Sequence, residues 1–164
     1  HKCPLWSTLL GSGVSTGRGY MLVSQIMKSK SDDGVVTSPP SLLISEAAAI
    51  LSEKRIGTLV ISLDGKAPLG ILSERDIVRQ LGKEGAGCLT MSVDKLMTTK
   101  LVTCRRDDLA EKILEQMTEG RFRHMPVVED GVLVGLISLG DVVKARLTEL
   151  SMEKNALEGM IMGH

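Results

Sequence analysis

The chain has 164 residues, 43% of them hydrophobic, with 20 Lys and Arg set against 20 Asp and Glu. That length suits one domain or two small, intimately packed halves, and the core must be aliphatic because Trp6, Tyr20 and Phe122 are the only aromatic residues. Zero net charge argues against a general polyanion binder, and so few rings argue against a base-stacking platform, so nucleic acid is not an expected partner.

Residues 1–20 read as a flexible leader, native or left by cloning, with Met21 as a candidate domain start. Residues 5–10 make a poor signal peptide, because Ser7 and Thr8 interrupt an already short apolar stretch. GSGVSTG (residues 11–17) imitates a dinucleotide-binding turn, but its spacing is G-x-G-x-x-x-G, with no strand before it and no amphipathic helix after it. No apolar run approaches the ~20 residues that span a membrane. Cys3, Cys88 and Cys104 are odd in number and far apart, so neither a disulfide framework nor a CxxC metal site follows. A reducing, cytoplasmic setting is expected.

From Met27 onward the chain repeats itself. MKSKSDDGVVT (residues 27–37) is answered by MTTKLVT (residues 97–103), and residues 56–79 are answered by residues 123–144. Thr37 and Thr103 lie 66 residues apart, and Asp76 and Asp141 lie 65 apart. A period this long, occurring twice, predicts a pseudo-symmetric pair. In each half an extended piece ends in Val-Thr, at Val36-Thr37 and Val102-Thr103. A helix follows, marked by Leu43, Ala47, Ile50 and Leu51, then by Leu109, Ile113, Leu114 and Met117 at helical spacing. The alanines at 47–49 predict a close helix contact. Gly57 and Gly120 are expected to break these helices. Next come two hairpins, turning at Asp64-Gly65 and Asp130-Gly131, where glycine supplies the positive φ of a tight turn. Pro126 lacks an N–H and is expected to begin its strand or lie on an edge. A second helix starts near Asp76 and near Asp141. The order is β-α-β-β-α twice, and neither half covers its sheet alone, so the two are expected to pack sheet to sheet.

The signatures GILSERD (residues 70–76) and GLISLGD (residues 135–141), each behind a hairpin and a Val-Thr piece, resemble a tandem cystathionine-β-synthase (CBS) domain pair over about residues 22–150. The resemblance implies an α/β disc of two CBS repeats, residues 21–86 and 87–150, followed by a helical extension at 151–164. It also implies two clefts between the halves that hold adenosine compounds: AMP, ADP, ATP, NAD(H) or S-adenosylmethionine. Some members of the family are dimerisation modules with empty clefts.

The site residues have structural roles to weigh beside functional ones. Ser73-x-x-Asp76 and Ser138-x-x-Asp141 are capping boxes, in which Ser meets an orphan N–H and Asp complements the helix dipole. By resemblance the aspartates also accept from ribose hydroxyls, and the serines meet a phosphate or ribose oxygen. Arg121, Arg123 and His124 precede Met125-Pro126 and have no basic counterpart in the first half, where Ile56-Gly57-Thr58 stands. Such a run is ordinarily a solvated face. Arg123, however, can offer a planar fork to phosphate, and His124 one or two N–H groups; the resemblance supports both as phosphate contacts. One cleft is therefore expected to group Asp76, Arg123 and His124 around the phosphate, and the other, less basic, to group Asp141, Ile56 and Gly57 and to hold a nucleoside moiety or stay empty. Arg75 is an added candidate where the second half has Gly140, its plain role being a surface ion pair. The resemblance places Thr37 and Thr103 facing the adenine.

From Asp141 to about Met160 the pattern is helical, with Val143, Leu147, Leu150, Leu157 and Ile161 on a heptad seam and Lys154 at an intervening core position. Either the module covers this stripe or a second copy does, and a homodimer is expected because the stripe outlasts the second half. The function expected is a non-catalytic sensor of energy or redox state. It needs no obligatory cofactor, acts on an unidentified partner and has no membrane role. The alternatives are a structural dimerisation module with empty clefts and a sensor of an S-adenosylmethionine-type adenosyl ligand. No Cys/His pair, Ser-His-Asp set or metal cluster speaks for an enzyme, and a lone interior histidine among arginines looks like an anion contact.

Overall fold

The structure, a computed structural model, describes residues 19–30 and 34–162. Most of the expected leader, with its Gly-rich segment and Cys3, lies outside the described residues. In chain order the elements are helix α1 (Val23–Ser29), strand β1 (Thr37–Ser38), helix α2 (Ile44–Lys54), strands β2 (Thr58–Ile61) and β3 (Gly70–Ser73), and helix α3 (Glu74–Glu84). Two short 3-10 turns follow, Gly85–Thr90 and Val93–Lys95. Then come helix α4 (Ala110–Gly120), strands β4 (His124–Glu129) and β5 (Val132–Ser138), and the long helix α5 (Leu139–Met162). The architecture is the expected mixed α/β pair of similar units with an extended C-terminal helix.

Both hairpins form. β2 pairs antiparallel with β3, and β4 with β5. At the second turn Asp130 and Gly131 both take positive φ, 50° and 78°, the conformation a two-residue hairpin turn requires. The first turn is longer. Asp64 Oδ1 accepts from the N–H groups of Lys66 and Ala67, and these bonds hold its carboxyl below the usual range. Strand alternation then sorts the side chains. Leu59, Ile61 and Leu72 join one core with Ile44, Ala47 and Leu51 of α2; Met125, Val127 and Ile137 join another with Ala110, Ile113 and Met117 of α4. The opposite faces carry Thr58 and Val60 in one hairpin and His124 and Pro126 in the other. Thr58, Val60 and Pro126 are buried, and Thr58 bonds His124 across the halves, so the sheets face one another.

Each core is completed by the segment that introduces the other repeat. Val23 and Ile26 of α1 are buried in the second core, with Val142 and Ala145 of α5. Val93, from the connection between the halves, is buried in the first. The backbone bonds show the same exchange: Ala110 N donates to Met21 O, and Ile44 N to Met91 O. Gly70 and Gly135 mark the two contact points. A Cβ on Gly70 would stand 2.6 Å from Met97 Sδ, and one on Gly135 would stand 2.5 Å from Met27 Cε.

One expectation needs correction. The helices are not ended by Gly57 and Gly120. Arg55 and Arg121 take the left-handed conformation, φ 54° and 55°, just past α2 and α4, and Gly120 is the last residue of α4. Pro126 meets the edge form of its expectation: it is the third residue of β4, in a two-stranded sheet. Its nitrogen faces the outer edge, on the side where its carbonyl accepts from Cys104 N. In the first half Val60 N donates to Val36 O and Ser62 N to Ser38 O, which makes β1. In the second half Val128 N donates to Cys104 O, but the proline has no N–H to offer Val102. The parallel strand is thus reduced to one bridge, between Cys104 and Val127.

Candidate functional site

Both capping boxes form. Ser73 Oγ accepts from Asp76 N at 3.2 Å while Asp76 Oδ2 accepts from Ser73 N at 2.9 Å. Ser138 and Asp141 repeat this at the same distances. The aspartates are half-buried at helix starts, where each carboxylate retains lone pairs for another donor.

The cavity between the halves, about 200 Å³, lies on the Asp141 side. Val36 and Ile56 give it aliphatic walls, and Gly57 exposes backbone. Thr58 completes the contribution of the first hairpin. The second half contributes His124, Leu136 and Ser138, and Lys30 closes one end. Thr58 and His124 are equivalent residues, each the first of its strand, and they meet: Thr58 Oγ1 lies 3.1 Å from His124 Nδ1. Burial, followed by the nearby Lys30 ammonium, pushes the His124 imidazole below its ordinary value, against a smaller opposing pull from Asp141. The ring is therefore neutral at pH 7 and can donate one hydrogen bond.

This arrangement corrects the expected grouping. His124 lines the cavity of Ile56, Gly57 and Ser138, and Asp76 does not. His124 opens β4 and turns into the cavity, whereas Arg123 lies in the bend just before the strand, with its side chain in solvent. Arg121 and Arg123 are both exposed, and Arg121 serves as the left-handed residue after α4. Met125 and Pro126, the remaining candidate contacts, do not line the cavity, and the Met125 side chain is wholly buried in the second core. Arg75 and Thr103 are exposed, and Thr37 is half-buried beside the first hairpin turn, near Gly65.

The cation at the cavity is Lys30, a residue that the sequence does not single out. Its Nζ is 2.9 Å from Asp141 Oδ2 and 2.8 Å from Leu136 O. Burial works to raise the Asp141 pKa, but the Ser138 N–H and the Lys30 ammonium outweigh it, and the carboxyl lies below its usual value. Lys30 also lines a second cavity of about 430 Å³ with Asp141, Lys144 and Thr148, and Asp141 faces this second cavity, not the first. The available signal was the repeat itself: Lys30 and Lys100 each stand three residues after the paired Met27 and Met97.

The model of the CBS domain matches residues 23–83 and 93–148. The chain belongs to the CBS domain family. Its CBS pair is 30% identical over 148 residues to the CBS domain-containing protein CBSX3, mitochondrial, of Arabidopsis thaliana, covering 86% of this chain and 72% of the relative. Among solved structures it is similar to the CBS-domain containing protein ATU1752 from Agrobacterium tumefaciens, at 44% identity and TM-score 0.72, covering 77% of this chain and 99% of the other. It is also similar to the CBS domain protein PAE2072 from Pyrobaculum aerophilum complexed with AMP, at 26% identity and TM-score 0.69, covering 82% and 99%. Among the described residues of the CBS pair, no cluster of three or more His, Cys, Asp or Glu could hold a metal ion, and no helix is long and apolar enough to cross a membrane.

Proposed function

We propose that this CBS pair is a non-catalytic regulatory module that binds an adenine nucleotide (AMP, ADP, ATP or NAD(H)) between its halves and signals through the geometry of a homodimer. The observation that carries this reading is the interhalf cavity, where aliphatic walls, open backbone and the Lys30 ammonium converge, with Asp141, the partner of that ammonium, lining the adjoining cavity that Lys30 shares. Val36, Ile56 and Leu136 suit the faces of a purine. Asp141 suits the hydroxyls of a ribose, and Lys30 with His124 suits an anion. AMP in the related Pyrobaculum aerophilum protein supports the same class of ligand. The exposed Leu147, Leu150 and Leu157 of α5 support self-association. The buried free thiols of Cys88 and Cys104 suit a reducing, cytoplasmic compartment. The Asp76 side, with Ser73 and Arg75 beside it in the chain and with Arg123 and Thr103 assigned to it from the second half, is the candidate for a second site.

A second reading is a structural dimerisation module, and one observation favours it: Lys30 already occupies Asp141. Thermal shift with AMP, ADP, ATP, NAD, NADH and S-adenosylmethionine separates the two. A ligand at ~100 times its Kd adds about 2.7 kcal/mol, a shift of several degrees at this size. We expect AMP or a larger adenine nucleotide to give that shift and Asp141→Ala to abolish it. No shift with any of the six assigns the protein to the dimerisation reading.

A further inference from the structure

We infer that the Lys30–Asp141 ion pair is a charge lock, making this site select ribose phosphates over uncharged nucleosides, with Lys30 as the residue that sets the selectivity. The inference rests on the nucleotide reading of the cavity. Its starting point is a difference between the two halves. In the first half the carbonyl of Ile71 accepts from the backbone N–H of Thr98, at 2.8 Å. In the second half the equivalent carbonyl, of Leu136, accepts at the same distance from the side chain of Lys30. Lys100, the repeat partner of Lys30, is exposed, and the ion pair of Asp76 is instead with Arg79 of its own helix, at 3.6 Å. A lysine therefore occupies the signature aspartate in only one half.

Both partners of that pair are largely shielded: Lys30 is 29% exposed and Asp141 23%. Parting two such ions is costly unless each gains a replacement. A nucleoside brings a diol, which satisfies the carboxylate and leaves the ammonium without its anion. A nucleotide brings the diol and a phosphate together, so both ions exchange partners. The cavity volume points the same way. About 200 Å³ is below the ~300 Å³ at which small-molecule sites begin, and Lys30 is the residue that also lines the 430 Å³ cavity beside it. Swinging Lys30 off Asp141 enlarges the first space and carries its charge toward Lys144 in the second, which Asp141 also lines, so a phosphate there meets two ammonium groups while the ribose diol occupies the carboxylate.

The test is calorimetric titration of adenosine and AMP, in a phosphate-free buffer, into wild type, Lys30→Met and Lys30→Arg. Wild type is expected to bind AMP at least about tenfold more tightly than adenosine, the effect of one charge-assisted hydrogen bond. In Lys30→Met adenosine binds more tightly than in wild type, and the ratio falls toward one; Lys30→Arg keeps the preference. An unchanged ratio in Lys30→Met, or equal weakening of both ligands, overturns the lock and leaves the nucleotide reading intact. Loss of the preference in Lys30→Arg also counts against it, and this variant decides the matter should Lys30→Met not fold. Wild type binding neither ligand removes the nucleotide reading and the lock with it.

Discussion

His124 stands where equivalent residues of the two halves meet, and its burial has a consequence for stability. In the unfolded chain its imidazole takes up a proton near the ordinary value of 6.5, while in the folded protein uptake is delayed to lower pH by burial and by Lys30. The unfolded state thus binds more protons in the window just below 6.5, and folding is opposed there. Stability from this group is complete above that window and declines as pH falls through it, by at most about 1.4 kcal/mol per pH unit. Urea midpoints measured at about pH 7.5 and about pH 5.5 are expected to fall in wild type and to fall less in His124→Gln, which can still bond Thr58. An equal fall in both would assign the acid sensitivity elsewhere. At this scale the sequence is legible where chemistry is local. Ser73-x-x-Asp76 and Ser138-x-x-Asp141 announce caps three residues wide, and caps form. Lys30 is illegible for the opposite reason: its acceptor on Leu136 lies 106 residues away. The Arg123–His124 pair misleads because the strand begins between the two residues: His124 is fixed by β4, and Arg123 stays in the exposed bend before it.

The hairpins are the most legible elements, since Asp-Gly between apolar runs has few other solutions. The packing against the signature glycines is harder to read. Gly70 and Gly135 occupy equivalent places in the signatures, yet their neighbours differ in stiffness. A Cβ at Gly135 meets the thioether end of Met27, which can rotate away. A Cβ at Gly70 meets Met97 and also the carbonyl oxygen of Thr98, at 3.0 Å, which is held in a backbone bridge with Ile71. We expect Gly70→Ala to cost about 1–3 kcal/mol, as overpacking does, and Gly135→Ala to cost clearly less, by chemical denaturation. Equal costs would mean that the Thr98 bridge yields as readily as a methionine side chain. Pro126 teaches a related lesson. Its missing N–H is plain in the sequence, but only the offset between Val60 and Pro126 shows that the loss shortens a neighbouring strand. The seam on α5 is also legible, and Leu147 is 62% exposed as a stripe awaiting cover would be.

At the scale of the whole molecule the repeat predicts two units, and two cores are found, but chain order does not say which segment fills which core. Ile26 belongs by sequence to the first repeat and is buried in the second core; Val93 belongs to the start of the second repeat and is buried in the first. The exchange ties the halves together through their interiors as well as through the facing sheets. It also places Lys30, one residue past α1, between the second core and the cavity. A pair of substitutions separates exchange from simple adjacency. Ile26→Ala and Val93→Ala each remove buried methyl groups, at a cost of up to about 2–5 kcal/mol, and amide hydrogen exchange locates the loss. Ile26→Ala is expected to lower protection in β4 and β5 first, although the residue lies nearer in sequence to β2 and β3. Val93→Ala is expected to lower protection in β2 and β3 first. If each substitution instead loosens the hairpin of its own repeat, the cores are not cross-filled in solution. If both loosen all four strands together, the halves unfold as one unit and the exchange acts as the bond between them.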